Sequence, residues 1–261
     1  MSPGYDPDHF AALFEVEDRH FWFGARNLAL KTIIDQLTSP LPAGYRVLEV
    51  GCGTGNTLRV LKDGCSAAGL IVGMDVFQEG LAFARQRTDL PLVRARIEQA
   101  PFHVPFEVIG MFDVLEHIED DATTLREVRA LTMRGGYLVL TVPAHEALWS
   151  RFDEESHHCR RYEPEGLRER LTSAGFSVEY LTPFMAALYP IARVSRWLSR
   201  HGNDVRRQLG MKAKSAVQSD LTVWPVINGI IGRVLRQEAP MLRRRRRLRM
   251  GTSLLAVARA V

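Results

Sequence analysis

Apolar residues recur at helical spacing through HFWFGARNLALKTIIDQL, where Phe21, Leu28, Ile33, Ile34 and Leu37 share one side, and the pattern predicts helix over residues 8–37. SPLPAG (39–44) breaks it. YRVLEVG follows, a short run rich in Val and Leu that suits a strand buried on both faces. The alternation then continues through strand LIVGMDV (70–76), helix FQEGLAFARQR, strand EVIGMFDV (107–114), helix DATTLREVRALT, strand GGYLVLTVP (135–143), helix PEGLRERLTSAG and strand FSVEYLTP. Strands alternating with helices imply an α/β domain, a mostly parallel sheet with helices on both faces. Ligands of such sheets bind at the C-terminal strand ends, where the strand order reverses. Residues 184–249 interrupt the rhythm with basic sequence lacking a strand signal, and GTSLLAVARAV closes as one more strand. The expected organisation is a single domain: a helical cap (1–44), a core (45–183), a basic helical insertion (184–249) and a final strand (250–261).

Composition narrows the class. A chain of 261 residues suits one sizeable core, and 46% hydrophobic with 25% charged residues is the balance of a soluble globular protein. The three cysteines, Cys52, Cys65 and Cys159, have no C-x-x-C spacing, which argues against structural zinc and disulfides and for a reducing compartment. The start, MSPGYDPDHFAALFEVEDRHFWF, places acids where a secretion signal needs basic residues and an apolar core, so a cytoplasmic location is expected. LTVWPVINGIIGRVL is the nearest approach to a membrane span, and Pro225, Asn228 and Arg233 break it.

The chemistry starts in VLEVGCGTGN, with Gly51, Gly53 and Gly55 at alternate positions. A dinucleotide fingerprint would need its third glycine at position 56, which is Asn56, and no G-K-[ST] follows to make a phosphate loop. The turn offers bare main chain to a ligand. Glu49 before it would repel a pyrophosphate and attract a cation. Asp75, ending the second strand 24 residues after Gly51, falls where an acid binds ribose in such sheets.

These segments, with RIEQAPF, MFDVLEHI and GGYLVLTVP, resemble the class I S-adenosylmethionine-dependent methyltransferases. The resemblance implies a Rossmann-like, doubly wound, mostly parallel seven-stranded sheet with the last strand antiparallel. It implies S-adenosylmethionine as cofactor, with the methionine part at Glu49, Gly51, Cys52, Gly53 and Gly55, the ribose at Asp75 and Val76, the adenine at Ile97 and Glu98, and Phe112 beside the pocket. One departure is Arg96, where the family often has an acid before the adenine contact.

Methyl transfer from a sulfonium needs alignment of donor and acceptor and removal of at most one proton. Asp113, Glu116 and His117 follow the fourth strand as a candidate base group, His117 being the natural base near neutral pH. Some quinone-precursor O-methyltransferases hold a divalent metal with a similar acid-x-x-Glu-His group; here shaping of the loop is the favoured expectation and no metal is assigned. After the fifth strand, Trp149, His157, His158, Arg160, Arg161 and Tyr162 are candidates for acceptor contact, the paired arginines suiting a carboxylate or phosphate. The alternative is an ion-pair network with Asp153, Glu154 and Glu155. H-x-x-R-R-Y together with HFWF looks like a bacterial methyltransferase subgroup, and HFWFGAR is expected to lie over the pocket as a lid, with Trp22 facing the acceptor.

Net charge is +4, but residues 193–249 hold 15 Lys or Arg against 3 acids, so the rest of the chain is acidic. Arg243–Arg247 and Arg249 follow an apolar stretch holding Trp224, Val226, Ile227, Ile230, Ile231 and Leu235. An amphipathic helix beside a polybasic run suits an anionic membrane surface, here over 221–249 at the inner face, and with it a small or lipid-linked acceptor. The run lacks the interleaved aromatics of a nucleic-acid stacking groove, and a solvated face is the plain alternative. Methylation at oxygen is expected, because His117 is placed to take a hydroxyl proton. The rival class is a nucleic-acid-binding protein that uses the basic insertion.

Overall fold

The structure, a computed structural model, describes residues 9–208 and 225–261. Trp224, and the side chains of Val226 and Ile227, lie outside the described residues. The helices are α1 (His9–Val16), α2 (Phe21–Thr38), α3 (Asn56–Gly64), α4 (Gln78–Arg87), α5 (Asp121–Leu131), α6 (Arg151–Glu155), α7 (Pro164–Ser173), α8 (Leu188–Gln208), α9 (Pro225–Arg236) and α10 (Ala239–Arg243). The strands are β1 (Arg46–Val50), β2 (Leu70–Asp75), β3 (Leu92–Arg94), β4 (Phe106–Phe112), β5 (Thr132–Pro143), β6 (Phe176–Phe184) and β7 (Ser253–Ala260).

All seven strands form one sheet in the order β3-β2-β1-β4-β5-β7-β6. Pairing is parallel from β3 to β5, and β7 runs antiparallel between β5 and β6. The order reverses at β1 and β4, so the crevice beyond their C-terminal ends is the place for a ligand. Side-chain alternation sorts two apolar layers. Val47, Val108, Val139 and Val257 pack with Leu30, Ile33 and Ile34 of α2 and Leu58 and Leu61 of α3. Leu48, Ile109, Leu138 and Ala256 pack on the other face with Leu125 and Val128 of α5 and Leu167 and Leu171 of α7. Each of these leucines and isoleucines, fully buried, contributes roughly 1.5–3 kcal/mol over its exposed state.

The largest departures from the sequence pattern are at two boundaries. The helix expected over 8–37 is two helices, because the chain turns between Glu17 and His20, whose ring accepts from the Trp22 N–H at 3.2 Å. β5 begins at Thr132, earlier than the glycines that seemed to open it. In the basic excursion, Asn228 of α9 donates to the Arg19 carbonyl (2.7 Å) and accepts from Phe21 N–H (2.6 Å), pinning α9 to the start of α2. Within the arginine run, Arg245 stacks over Tyr180 at 5.2 Å while Arg243, Arg244, Arg246, Arg247 and Arg249 are exposed. Among the described residues no helix is long and apolar enough to cross a membrane.

Candidate active site

The turn after β1 is built on main chain. Gly51 and Cys52 N–H both reach the Met74 carbonyl at 2.8 and 3.1 Å. Gly51 has φ +73°, and any side chain there would drive into Val114, so glycine is required. Asp75 clamps the turn from the neighbouring strand: Oδ2 accepts from Gly53 N–H and Oδ1 from Phe77 N–H, both at 2.8 Å. Burial raises the Asp75 carboxyl above its usual range, opposed by the N–H donors of Phe77, Gly53 and Val76.

Glu49 is buried beside this turn and accepts from Thr57 Oγ1. Burial pushes its carboxyl up to about 8, with Thr57 and Arg26 pulling the other way. Arg26 comes from α2. Its guanidinium donates to Asp113 Oδ2 (3.0 Å) and Asn56 Oδ1 (3.3 Å), and stacks on Trp22 and Phe23 at 5.1 and 5.2 Å. Among the described residues nothing donates to Glu49 Oε2 and nothing accepts from Arg26 Nε. A buried acid and a buried base, each with an atom to spare, thus flank the bare turn.

The covering element over the turn is α1. Phe10 is buried against Phe77 (ring centroids 5.7 Å apart), with Gly53 and Gly80 beneath it. Arg87 fastens α1 down by an ion pair with Glu17 and a bond to the Phe14 carbonyl (2.7 Å), and it also donates to Thr54 Oγ1 (2.7 Å). HFWFGAR, expected as a helix over the pocket, begins α2: Phe23 is buried, and Phe21 and Trp22 pack half-buried against the core.

The remaining cofactor candidates divide. Val76 is exposed at the rim and its carbonyl accepts from Arg94. Ile97 is buried in a short turn, and Glu98 pairs with Arg96 at 3.4 Å, so the arginine standing in the acid's place has an acid two residues on. Cys52 and Phe112 turn into the core, the Phe112 ring lying against Gly110.

The two clusters that follow β4 and β5, distant in sequence, meet. Glu116 sits in the turn Leu115–His117, buried, and its carboxyl is raised well above the usual range by burial and then by Asp113. The His117 ring stands edge-on to His158 at 4.7 Å. His158 Nδ1 is 2.9 Å from Asp153 Oδ1, and Arg161 grips the same carboxylate at 2.8 and 3.1 Å. Burial would raise the Asp153 carboxyl, but His158 and Arg161 hold it down at about 2. Arg160 and Tyr162 turn the other way, to Asp121, at 2.6 and 2.9 Å. The ion-pair alternative therefore accounts for Arg160, Arg161 and Tyr162, with Asp153 an expected partner and Asp121 an unexpected one. His157 is exposed in a left-handed conformation, and Trp149 is half-buried at the start of that loop. Sequence reasoning passed over Phe10, Arg26, Asn56 and Asp121; the signal available for Arg26 was its place one helical turn after Trp22.

A doubly wound sheet with an antiparallel β7, a glycine turn flanked by acids and an acid ending β2 defines the class I S-adenosylmethionine-dependent methyltransferases. A family model described as a methyltransferase domain matches residues 22–181, and the chain belongs to that family. A Mycolicibacterium smegmatis protein named as a probable S-adenosylmethionine-dependent methyltransferase is 25% identical over 63% of this chain and 62% of its own length. The malonyl-[acyl-carrier protein] O-methyltransferase of Enterobacter lignolyticus is 26% identical over 87% of this chain and 93% of its own. In fold, the methyltransferase of a Haloferax volcanii complex with the Trm112 methyltransferase activator superposes with a TM-score of 0.62 at 21% identity, covering 97% of this chain and 95% of that one. The chain spans less than two thirds of the length of the first curated relatives it matches.

Proposed function

We propose that this chain transfers the methyl group of S-adenosylmethionine to an oxygen of a small or lipid-linked acceptor. The observation that carries the reading is the oppositely charged pair Glu49 and Arg26 beside the glycine turn, each with a spare buried atom. A methionyl zwitterion carries an ammonium for one and a carboxylate for the other, and its sulfonium adds a positive charge that Glu49 and Asp75 favour. In this reading Gly51, Gly53 and Gly55 lie against the methionyl chain, Asp75 and Val76 at the ribose, and Ile97 and Glu98 at the adenine. His117 takes the acceptor proton, and Trp22, Trp149 and His157 line the acceptor side. Oxygen as the acceptor atom is supported by the malonyl-carrier relative, named as an O-methyltransferase, which matches most of the chain.

The test is calorimetry with S-adenosylhomocysteine, with NADH as the comparison ligand. Because Glu49 in the free protein titrates at about 8 and a bound ammonium favours its ionised form, binding near pH 7 must expel a proton. Affinity is expected to rise from pH 6 to pH 7.5, at most about tenfold per unit, with close to one proton released in buffers of differing ionisation heat. A flat affinity over that range, or NADH binding more tightly, would count against the reading.

The lipid-linked part rests on apolar residues left in water next to the site. α8 packs on the turn Glu146–Leu148, where Arg196 donates to the Leu148 carbonyl at 3.2 Å, and it exposes Ile191, Val194, Trp197 and Leu198. Ile230 and Val234 are likewise exposed on α9. Cosedimentation with vesicles rich in phosphatidylglycerol, but not with neutral vesicles, is expected, weakening as salt rises. Equal recovery from both vesicle types would remove the electrostatic part, and binding to random duplex DNA in preference to vesicles would favour the nucleic-acid alternative.

A further inference from the structure

Glu116, His117 and His158 place one ligand atom each within 4.8 Å of one another, and among the described residues no other three His, Cys, Asp or Glu do so. The two loops that carry them are bonded together one residue away, where Cys159 N–H donates to the Glu116 carbonyl at 2.7 Å. Asp153 accepts at His158 Nδ1 and is itself fixed by Arg161 and by Ser150, whose N–H and hydroxyl lie 2.8 and 2.9 Å from Oδ2. A carboxylate that holds one ring nitrogen presents the other as a lone pair, the usual outer support of a metal-bound imidazole. Glu116 supplies a second, independent observation. It is 1% exposed, and among the described residues its Oε2 has no hydrogen-bond donor. Asp113, which the sequence sets beside Glu116 and His117, is not part of this group; its carboxylate is paired with Arg26.

We propose that Glu116, His117 and His158 bind one divalent transition-metal ion of the zinc, manganese or iron(II) class, with Asp153 as the outer support of His158. Two imidazoles and one carboxylate suit these ions and do not suit calcium or magnesium, which prefer oxygen donors. Ligand atoms around zinc stand about 3.4 Å apart, given bonds of about 2.1 Å, so the three side chains need to close by little more than about 1 Å. Three protein ligands leave coordination positions for oxygen atoms of the acceptor; that last point alone rests on the function proposed above, and with the ion bound His117 would be a ligand in place of the base, the ion itself making a bound hydroxyl more acidic.

The experiment uses the full chain without a polyhistidine tag, stripped with chelator and titrated with cobalt(II). One equivalent giving a visible d–d absorption band, displaced by zinc(II), is expected. His158→Gln and His117→Gln should each abolish the band, and Asp153→Asn should weaken binding about 10–100-fold. Homocysteine-nucleoside binding is measured in parallel on every variant, which separates failure of the metal site from failure of the cofactor site and from misfolding. No band at millimolar cobalt in protein that still binds S-adenosylhomocysteine would overturn the proposal. So would an unchanged band in both histidine variants, since the ion would then sit on some other surface group, leaving Asp153 and His158 as a hydrogen-bonded pair only.

Discussion

Asp75→Ala is expected to weaken S-adenosylhomocysteine binding by about 100-fold or more, the largest effect of any single substitution in the site. Two losses combine. The ribose would lose a charged acceptor, and hydrogen bonds to charged groups are worth about 1.5–3 kcal/mol each. The glycine turn would lose its clamp, because both carboxylate oxygens hold main chain, at Gly53 and at Phe77. Asp75→Asn separates the two only in part: its amide nitrogen must face one of those N–H groups, so it too should bind weakly and melt earlier. Calorimetry and thermal melting on both variants read this directly. Affinity within threefold of the parent in Asp75→Ala would show that the ribose is held elsewhere.

Arg26→Ala should come next. The guanidinium is buried, while its partner Asp113 keeps 18% of its side-chain surface in water, so breaking the pair costs less than a fully buried one, about 2 kcal/mol. For a domain of this size that is a fall in Tm of about 4–8 °C. Cofactor affinity should drop at least about tenfold if the arginine reads a carboxylate, since a charged bond of that kind is worth about 1.5–3 kcal/mol. Arg26→Lys keeps the charge but cannot span Asp113 and Asn56 together, and partial recovery of both readouts is expected. If Arg26→Ala melts earlier yet binds S-adenosylhomocysteine as tightly as the parent, the residue only fastens α2 to Asp113 and Asn56 and is no part of the ligand site.

What the sequence made legible follows from where constraints are local. Parallel strands buried on both faces must be runs such as VLEV and VIGMF, and a turn approached by main chain must be glycine, so sheet, turn and flanking acids stood out. The break at 17–20 did not. Glu17-Asp18-Arg19 is compatible with helix, and the chain departs from it where Glu17 is tied to Thr54 and Arg87, far along the sequence. β3 is three residues long and half-buried, too brief for any pattern. Arg26 meets Asp113 across 87 positions, and Tyr162 meets Asp121 across 41, distances over which spacing carries no information. In the extended stretch 160–162, successive side chains point oppositely. Arg160 and Tyr162 therefore share Asp121 while Arg161 alone reaches Asp153, and the doublet that looked like one anion-binding fork serves two separate carboxylates.

The placement of β7 has a consequence for how the molecule is made. This strand is translated after β6 yet is inserted between β5 and β6, pairing with each along almost its full length. Until it leaves the ribosome, two neighbours wait with open ladders, and a nascent chain in that condition exposes the edges on which strands from other chains assemble. Clipping the last dozen residues would accordingly not trim a rim; it would leave the interior of the sheet split, with β6 stripped of the strand it pairs with and only the helix contacts on α2 left to hold that end of the chain.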